Sequence, residues 1–163
     1  GLLALLSFLA LSLSAGAQAT TGNFEDFLKS FRSAARKGDR AALENMVRFP
    51  LPTAVDPRGL PEGDPVDPIA RNDFKKYFAG IFHQDLRRLM AAAGKDALGV
   101  VGASDGSYYA ALQKMTDQRS ILYELYLQYG QEGGNSESYF GLIFGQVSGR
   151  YRLIGYYAKW PVR

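Results

Sequence analysis

Few side chains in this chain could do chemistry, and Glu124 and His83 stand out among them. Glu124 interrupts an apolar stretch, RSILYELYLQY at 119–129, and His83 is the one histidine of the chain. A carboxylate turned into an apolar cavity has a raised pKa and could act as a catalytic acid. His83, which precedes Asp85 by two residues, could act as a general base or simply cap a helix. If Glu124 instead faces solvent or a second subunit, its expected partners are Arg119, Arg150 and Arg152.

Several classes of reaction are excluded by residue type. With one histidine and no cysteine, neither a zinc site nor a Cys–His nucleophile can be assembled. There is no G-x-S-x-G motif for a serine hydrolase. Four carboxylates occur within residues 49–70, but their spacing does not match a calcium-binding loop. We therefore predict no metal and no cofactor, and the sequence favours binding over catalysis without deciding between them.

Tyrosine is the best candidate for lining a ligand pocket, because it combines an apolar body with a polar tip. The chain has ten tyrosines and one tryptophan, most of them in its second half. Each of them could equally be packed in the core. The residues that we predict to line a ligand pocket are Tyr108, Tyr123, Tyr126, Tyr156 and Trp160.

The charges are dispersed along the chain. It has 19 basic and 16 acidic residues, a formal net charge of +3, and basic residues only in short pairs such as Arg87-Arg88. Nucleic-acid binding requires a basic tract or a recognisable motif, and neither is present. We therefore expect no nucleic-acid partner.

The first nineteen residues have the pattern of a signal peptide. Leu2 to Leu13 is an uncharged apolar segment, and Ala17-Gln18-Ala19 fits the cleavage rule, so the mature chain is expected to start at Thr20. A predominantly apolar segment of twelve residues is too short to span a bilayer. A lipoprotein anchor needs a cysteine, which this chain lacks. We therefore predict export to the bacterial periplasm or secretion, with no stable membrane anchor after cleavage.

The first half of the mature domain, residues 20–163, is predicted to be helical. Apolar residues recur at helical spacing and are separated by capping and stop residues. The predicted helices run from a cap at Asn23 to Gly38, from a cap at Asp39 to Pro50, from a cap at Asn72 past Ile81, and from about Gln84 to Gly94. Between the second and third helices, residues 49–70 hold six of the seven prolines, which predicts a long irregular loop.

After Gly94 the apolar period changes towards two, which predicts strands. We expect a short strand at 97–103, a hairpin turn at Asp105-Gly106, a returning strand at 107–113 and a long strand at 119–129. A flexible turn at 130–138 leads to the closing hairpin. Helices followed by a run of strands indicate an α+β fold, with the N-terminal helices on a strongly curved antiparallel sheet of four to five strands.

The closing hairpin turns at Ser148-Gly149 and is apolar on both faces. The predicted pairs are Val147 with Arg150, Phe144 with Leu153, Leu142 with Gly155, Gly141 with Tyr156 and Phe140 with Tyr157. This register places Tyr157 towards the helices, whereas Tyr156, which would lie over Gly141, and Trp160 occupy the other face. The helices can cover only one face, so the second needs a partner subunit, a ligand or the Pro-rich loop.

Three stretches carry a family resemblance: FEDFLKSFRSAARKGDRAALENMV, a helix pair broken at Gly-Asp, then NDFKKYFAGIF, then the closing strand YRLIGYYAKW. Together they resemble the NTF2-like superfamily, the cone fold of ketosteroid isomerases and SnoaL-type cyclases, and especially its exported bacterial members. The resemblance implies a curved sheet wrapped against helices, a cavity in the mouth of the cone and often a homodimer through the outer face. It carries over no catalytic residue, because no motif fixes positions for the Asp base and the Tyr–Asp pair of an isomerase.

These observations predict an exported binding module for a small apolar or aromatic molecule or for a protein partner. Two alternatives stay open: an enzyme of isomerase or hydrolase type that uses Glu124 or His83, and a structural, dimer-forming envelope protein. A cavity among the tyrosines would favour binding, and catalysis would require Glu124 or His83 to reach that cavity.

Overall fold

The computed structural model describes residues 23–58, 67–130 and 137–162. The predicted signal peptide and the centre of the Pro-rich loop, residues 59–66, lie outside the described residues, as do most of the predicted flexible turn, 131–136, and the C-terminal Arg163. Within the described ranges, no helix has both the length and the apolar character needed to cross a membrane.

The described chain is α+β, as predicted, with a helical layer against a curved sheet. The helices are α1 (Phe24–Lys37), α2 (Arg40–Met46), α3 (Phe74–Ile81), α4 (Gln84–Ala92) and α5 (Ser107–Lys114). The strands are β1 (Leu51–Ala54), β2 (Asp67–Ile69), β3 (Leu98–Val101), β4 (Leu122–Gly130), β5 (Glu137–Val147) and β6 (Arg150–Ala158). They form one sheet in the order β2-β1-β6-β5-β4-β3.

The predicted helix caps are confirmed for α1 and α2. The Asn23 side chain accepts a hydrogen bond from the Glu25 amide, and Asp39 accepts one from the Ala42 amide. Gly38 ends α1 with φ of 65°, a conformation that favours glycine. The predicted cap at Asn72 is wrong, because a 3₁₀ turn at Arg71–Asp73 precedes α3 and no side chain caps the helix.

The Pro-rich segment is not irregular throughout, which corrects the prediction of a continuous loop. It contributes β1 and β2, which pair antiparallel with Pro52 opposite Pro68. β1 also pairs in parallel with β6, so the sheet has six strands and is not wholly antiparallel. Proline removes a backbone donor and is tolerated near a sheet edge, and these two short strands lie at that edge.

The closing hairpin has the predicted turn but not the predicted register throughout. Ser148 and Gly149 both have positive φ, 53° and 74°, as a tight two-residue hairpin turn requires. Phe144 pairs with Leu153, but Ile143 pairs with Gly155, so Ile154 is an extra residue that forms a β-bulge. Beyond the bulge the register shifts by one residue and the sheet bends.

The bulge exchanges the predicted faces of two tyrosines. Tyr156, predicted on the outer face, belongs to the inner core between the sheet and α1–α4, and Tyr157, predicted towards the helices, lies on the outer face. The ring of Tyr157, not that of Tyr156, covers Gly141. An added Cβ at Gly141 would lie only 2.2 Å from Cε1 of Tyr157, so this glycine makes room for the ring.

The cover of the outer face is α5, where the sequence predicted a strand. Tyr108, Tyr109 and Leu112 lie on one side of this helix and are buried against the outer face of β4–β6. Residues 55–58, at the start of the Pro-rich loop, lie over the same side of the sheet, because the Tyr139 hydroxyl donates to the Val55 carbonyl. Part of the second apolar face is therefore covered by the chain itself.

Candidate functional site

A hollow of about 460 Å³ opens at one end of the sheet, where the α3–α4 junction meets the end of β4, the start of β5 and the end of β6. We call it the aromatic hollow, because half-buried and buried rings make up much of its wall. Its lining residues are Gly80, His83, Tyr129, Ser138, Tyr139, Tyr156, Ala158, Lys159, Trp160, Pro161 and Val162. Its volume is within the range of small-molecule sites, about 300 to 1,000 Å³. Three residues predicted separately from the sequence, His83, Tyr156 and Trp160, meet here.

His83 is held in one orientation by the start of α4. Its Nδ1 accepts a hydrogen bond of 3.2 Å from the Leu86 amide, so it caps the helix, as one sequence interpretation expected. Burial lowers the pKa of His83 below its ordinary 6.5; Asp85 opposes this to a smaller extent, and Arg87 adds to it. The imidazole is therefore neutral near pH 7. Because Nδ1 accepts, its proton lies on Nε2, which can donate to a bound molecule.

Tyr156 and Trp160 both line the hollow but differ strongly in exposure. Tyr156 is almost fully buried, whereas 60% of the Trp160 surface is exposed. Burial raises the pKa of the Tyr156 hydroxyl, which keeps it protonated. The Lys159 ammonium lies 5.5 Å from the centre of the Trp160 ring and donates to the Glu137 carbonyl, which holds the charge beside the ring.

The other predicted pocket tyrosines do not line this hollow. The Tyr108 hydroxyl is buried and donates to the carbonyls of Pro52 and Tyr156, 3.1 Å from each. Tyr123 stacks on Phe24 with ring centres 3.9 Å apart, near the other end of the sheet. Tyr126 stacks on the outer-face ring of Tyr157. The structure thus places these three tyrosines in packing positions away from the hollow.

Glu124 lies in a buried polar cluster on the outer face, not on a solvent-facing or subunit-facing side. Its Oε1 accepts hydrogen bonds from the hydroxyls of Tyr109, at 2.6 Å, and Tyr157, at 2.7 Å. Its Oε2 accepts one from Arg58 at 3.1 Å. The prediction that Glu124 pairs with Arg119, Arg150 or Arg152 is wrong, because α5 and residues 55–58 cover this part of β4. We call these four residues the Glu124 cluster.

The Glu124 cluster is suited to holding structure together. Burial and the carboxylate of Glu124 raise the pKa of both tyrosines, so their hydroxyls remain donors at every physiological pH. The Arg58 guanidinium also lies 5.6 Å from the centre of the Tyr109 ring. With three donors already bound, the carboxylate has little capacity left to take a proton from a substrate, and Glu124 lines none of the hollows described for this chain.

Sequence reasoning missed Arg58 and Tyr109 as partners of Glu124. Arg58 is 66 residues away in sequence, and no local pattern links the two. The position of Tyr109 on a helix could have been predicted, because Tyr108, Tyr109 and Leu112 have helical spacing. The turn signal at Asp105-Gly106 favoured a strand instead. Of the aromatic hollow, sequence reasoning missed Tyr129 and Ser138, which reach it only through the pairing of β4 with β5.

Comparison with known proteins gives limited information. No protein-family model matches the chain, and no curated protein is significantly similar to it in sequence. Among solved structures, the chain is similar to Rd1NTF2_05 carrying five substitutions, a designed NTF2-like protein, with 11% identity and a TM-score of 0.40. The match covers 83% of this chain and 95% of that one.

Metal-binding side chains are not clustered. Among residues 23–58, 67–130 and 137–162, no three His, Asp or Glu side chains come close enough together to hold a metal ion. A larger groove of about 730 Å³ lies on the helical layer, and its lining includes none of the predicted site residues.

Proposed function

We propose that this chain is an exported NTF2-like binding module whose aromatic hollow takes one small aromatic molecule. The observation that carries the proposal is the hollow itself, which is about 460 Å³ in volume and walled by His83, Tyr129, Tyr156 and Trp160. Aromatic walls with a few fixed polar groups are typical of small-molecule sites. The signal-peptide pattern of residues 1–19 supports export, to the bacterial periplasm or beyond it.

The polar groups of the hollow indicate which aromatic molecules fit best. Nε2 of His83 offers an N–H donor, and the Lys159 ammonium, held by the Glu137 carbonyl and the Trp160 ring, contributes a positive charge. A ligand with a carbonyl or ether oxygen beside an aromatic ring could accept from His83 and pack its ring against the aromatic side chains of the lining. A cationic ligand would be disfavoured, because the described residues of the lining include the Lys159 ammonium and no carboxylate side chain.

Binding fits this geometry better than the enzyme alternative does. A general base needs an unprotonated atom within reach of the substrate. Nδ1 of His83 is occupied by the Leu86 amide and Nε2 carries the proton, while Glu124 lies outside the hollow. His83 could therefore orient a carbonyl but has no free lone pair with which to abstract a proton.

A titration with prodan tests the proposal. Prodan is an uncharged naphthyl ketone whose emission shifts to the blue in apolar surroundings, and its ketone can accept from His83. We expect saturable binding of one prodan per chain. Trp160→Ala should weaken it about tenfold, because a large ring contact is removed, and Ala158→Leu should weaken it by filling the hollow.

The matched control is Val100→Ala. Val100 is an exposed apolar residue, 69% accessible, on the edge strand β3 and outside the hollow. It should leave the dissociation constant unchanged. Equal affinity in Trp160→Ala, Ala158→Leu and wild type, with all three proteins folded by circular dichroism, would refute binding at the aromatic hollow.

A further inference from the structure

A second site lies on the helical layer, between α1 and the segment that leads from α4 to β3. We call it the α1–α4 groove. Its volume is about 730 Å³, and its apolar floor includes Leu28, Ala93 and Leu98. The residues that α1 contributes are Glu25, Leu28, Lys29, Arg32, Ser33 and Arg36, which form one stripe along the helix.

The rim of the α1–α4 groove is strongly basic. Lys29, Arg32, Arg36 and Lys95 line it, against a single carboxylate, Glu25. Among the described residues, none of these four cations forms an ion pair. A cluster of like charges that no acidic side chain offsets repels itself and attracts an anion.

Arg32 adds a more specific signal. Its Nε atom is buried, yet none of the described residues accepts a hydrogen bond from it. A buried guanidinium N–H without an acceptor is costly, and native proteins nearly always satisfy such groups. Arg87 has a buried Nε in the same state, in a hollow that shares Arg36 and Ala91 with the groove. Two donors without acceptors therefore lie along the same basic surface.

We propose that the α1–α4 groove binds an anionic amphiphile with a single alkyl chain, such as a fatty-acid carboxylate. The headgroup would pair with Arg32 and Arg36, since guanidinium groups bind carboxylate and phosphate through paired hydrogen bonds. The alkyl chain would cover Leu28, Ala93 and Leu98, where its burial supplies the affinity that an exposed ion pair alone lacks.

Charge complementarity favours this occupant over the N-terminal segment of the same chain. Residues 1–22 are apolar but contain no Asp or Glu, so they offer no partner for the four cations. An acidic peptide would pair with the basic side chains but would not cover the apolar floor of the groove. An anionic amphiphile supplies both the charge and the apolar surface.

Isothermal titration calorimetry with dodecanoate, below its micelle concentration, tests the site. We expect saturable binding of one dodecanoate per chain. Inorganic phosphate and acetate, which carry charge without a chain, should bind at least tenfold more weakly, and so should dodecyl maltoside, which carries a chain without charge. If phosphate binds as tightly as dodecanoate, the proposal of an amphiphile site is overturned and the groove is a simple anion site.

Variants then locate the binding. Arg32→Gln combined with Arg36→Gln should weaken dodecanoate binding at least tenfold, because two charge-assisted hydrogen bonds are lost. Arg40→Gln combined with Lys75→Gln removes the same charge at exposed positions outside the groove and should change the affinity less than twofold. Ala91→Phe, at an exposed groove position on α4, should block the groove without disturbing the fold.

This proposal is independent of the aromatic hollow. Trp160→Ala should leave the affinity for dodecanoate unchanged, and the Arg32→Gln, Arg36→Gln double variant should leave the affinity for prodan unchanged. If Trp160→Ala weakens dodecanoate binding and the groove variants do not, the α1–α4 groove is not the site. Binding of an octaglutamate peptide that depends on Arg32 and Arg36, without dodecanoate binding, would also overturn the proposal in favour of peptide docking.

Discussion

At the scale of residues, the molecule has one polar cluster whose hydrogen-bonding groups are paired and one hollow in which a hydrogen-bond donor has no partner among the described residues. In the Glu124 cluster, one carboxylate accepts from two tyrosine hydroxyls and one guanidinium, so every partner is engaged. In the aromatic hollow, Nε2 of His83 is left to donate. Buried polar groups that are satisfied rigidify a fold, whereas a donor without a partner in a hollow is available to a ligand.

Glu124→Gln should destabilise the protein. The amide would accept at one oxygen only, and its NH₂ group would face either Arg58 or the hydroxyls of both Tyr109 and Tyr157. We expect the free energy of unfolding to fall by about 2 to 4 kcal/mol, mostly through the tyrosines, because the Arg58 side chain is 54% exposed and water screens its charge. Urea unfolding measures the change.

Glu137→Gln is the matched control for Glu124→Gln, because Glu137 is an exposed carboxylate on β5, the neighbouring strand. It should change the free energy of unfolding by less than about 0.5 kcal/mol. A loss that small in Glu124→Gln as well would contradict the role assigned to the Glu124 cluster.

His83 should make stability depend on pH. Its folded pKa is lowered from 6.5, so the unfolded chain binds more protons at mildly acidic pH. The contribution of neutral His83 is therefore complete above about pH 6.5 and declines as the pH falls below that value. His83→Asn keeps a capping side chain and should lose less stability between about pH 7.5 and about pH 5.5. Urea unfolding at the two pH values measures the loss of stability in each protein. Equal losses in wild type and His83→Asn would show that His83 does not cause the pH dependence.

Sequence reasoning identified single residues better than their partners. The type of Glu124 and its break in an apolar strand marked it as unusual, and the caps Asn23 and Asp39 followed from local rules. The pairing of Arg58 with Glu124 could not be predicted in this way. It depends on the path of a proline-containing segment, which apolar periodicity does not describe.

At the scale of elements, the bulge at Ile154 decides what each face of the sheet displays. One extra residue in β6 moves Tyr156 to the inner face and Tyr157 to the outer face. A one-residue shift exchanges faces because strand side chains alternate. Without the bulge, Tyr156 would leave the aromatic hollow and Tyr157 would leave Glu124.

Gly141→Ala tests this local arrangement. An added Cβ would overlap the Tyr157 ring, so the ring must move and its hydrogen bond to Glu124 must break. We expect a loss of about 3 kcal/mol or more in the free energy of unfolding. Gly99→Ala, at an open position on β3, is the control and should be within about 1 kcal/mol of wild type. Equal stability of the two variants would mean that Tyr157 does not cover Gly141.

Two features of the sheet and its cover were predicted wrongly from the sequence, the helix α5 and the bulge in β6. Asp105-Gly106 is a strong hairpin signal, yet Gly106 instead precedes α5 with φ of 145°. The apolar period of α5 spans only eight residues, too few to outweigh the turn signal. Nothing in the local sequence indicates the bulge. Gly155, opposite Ile143, leaves room for the side chains of Leu112 and Tyr108, and these two residues lie far away in sequence.

At the scale of the whole molecule, α5 and residues 55–58 make a third layer over part of the sheet's outer face. The order of helices and strands was enough to predict the α+β class, but it could not predict this layer, which depends on contacts between distant segments. The homodimer through the sheet stays a prediction. It would have to use the uncovered remainder of the face, and a monomer at tens of micromolar in light scattering would exclude it.

The aromatic hollow is the central claim, and the single tryptophan allows a direct test. In a ¹H–¹⁵N spectrum, the indole N–H of Trp160 is the one such resonance of the chain. On titration with prodan, we predict that this resonance shifts to saturation together with the backbone amides of His83, Tyr129 and Tyr156. Shifts confined to residues outside the hollow, with the Trp160 indole unchanged at saturation, would contradict the assignment.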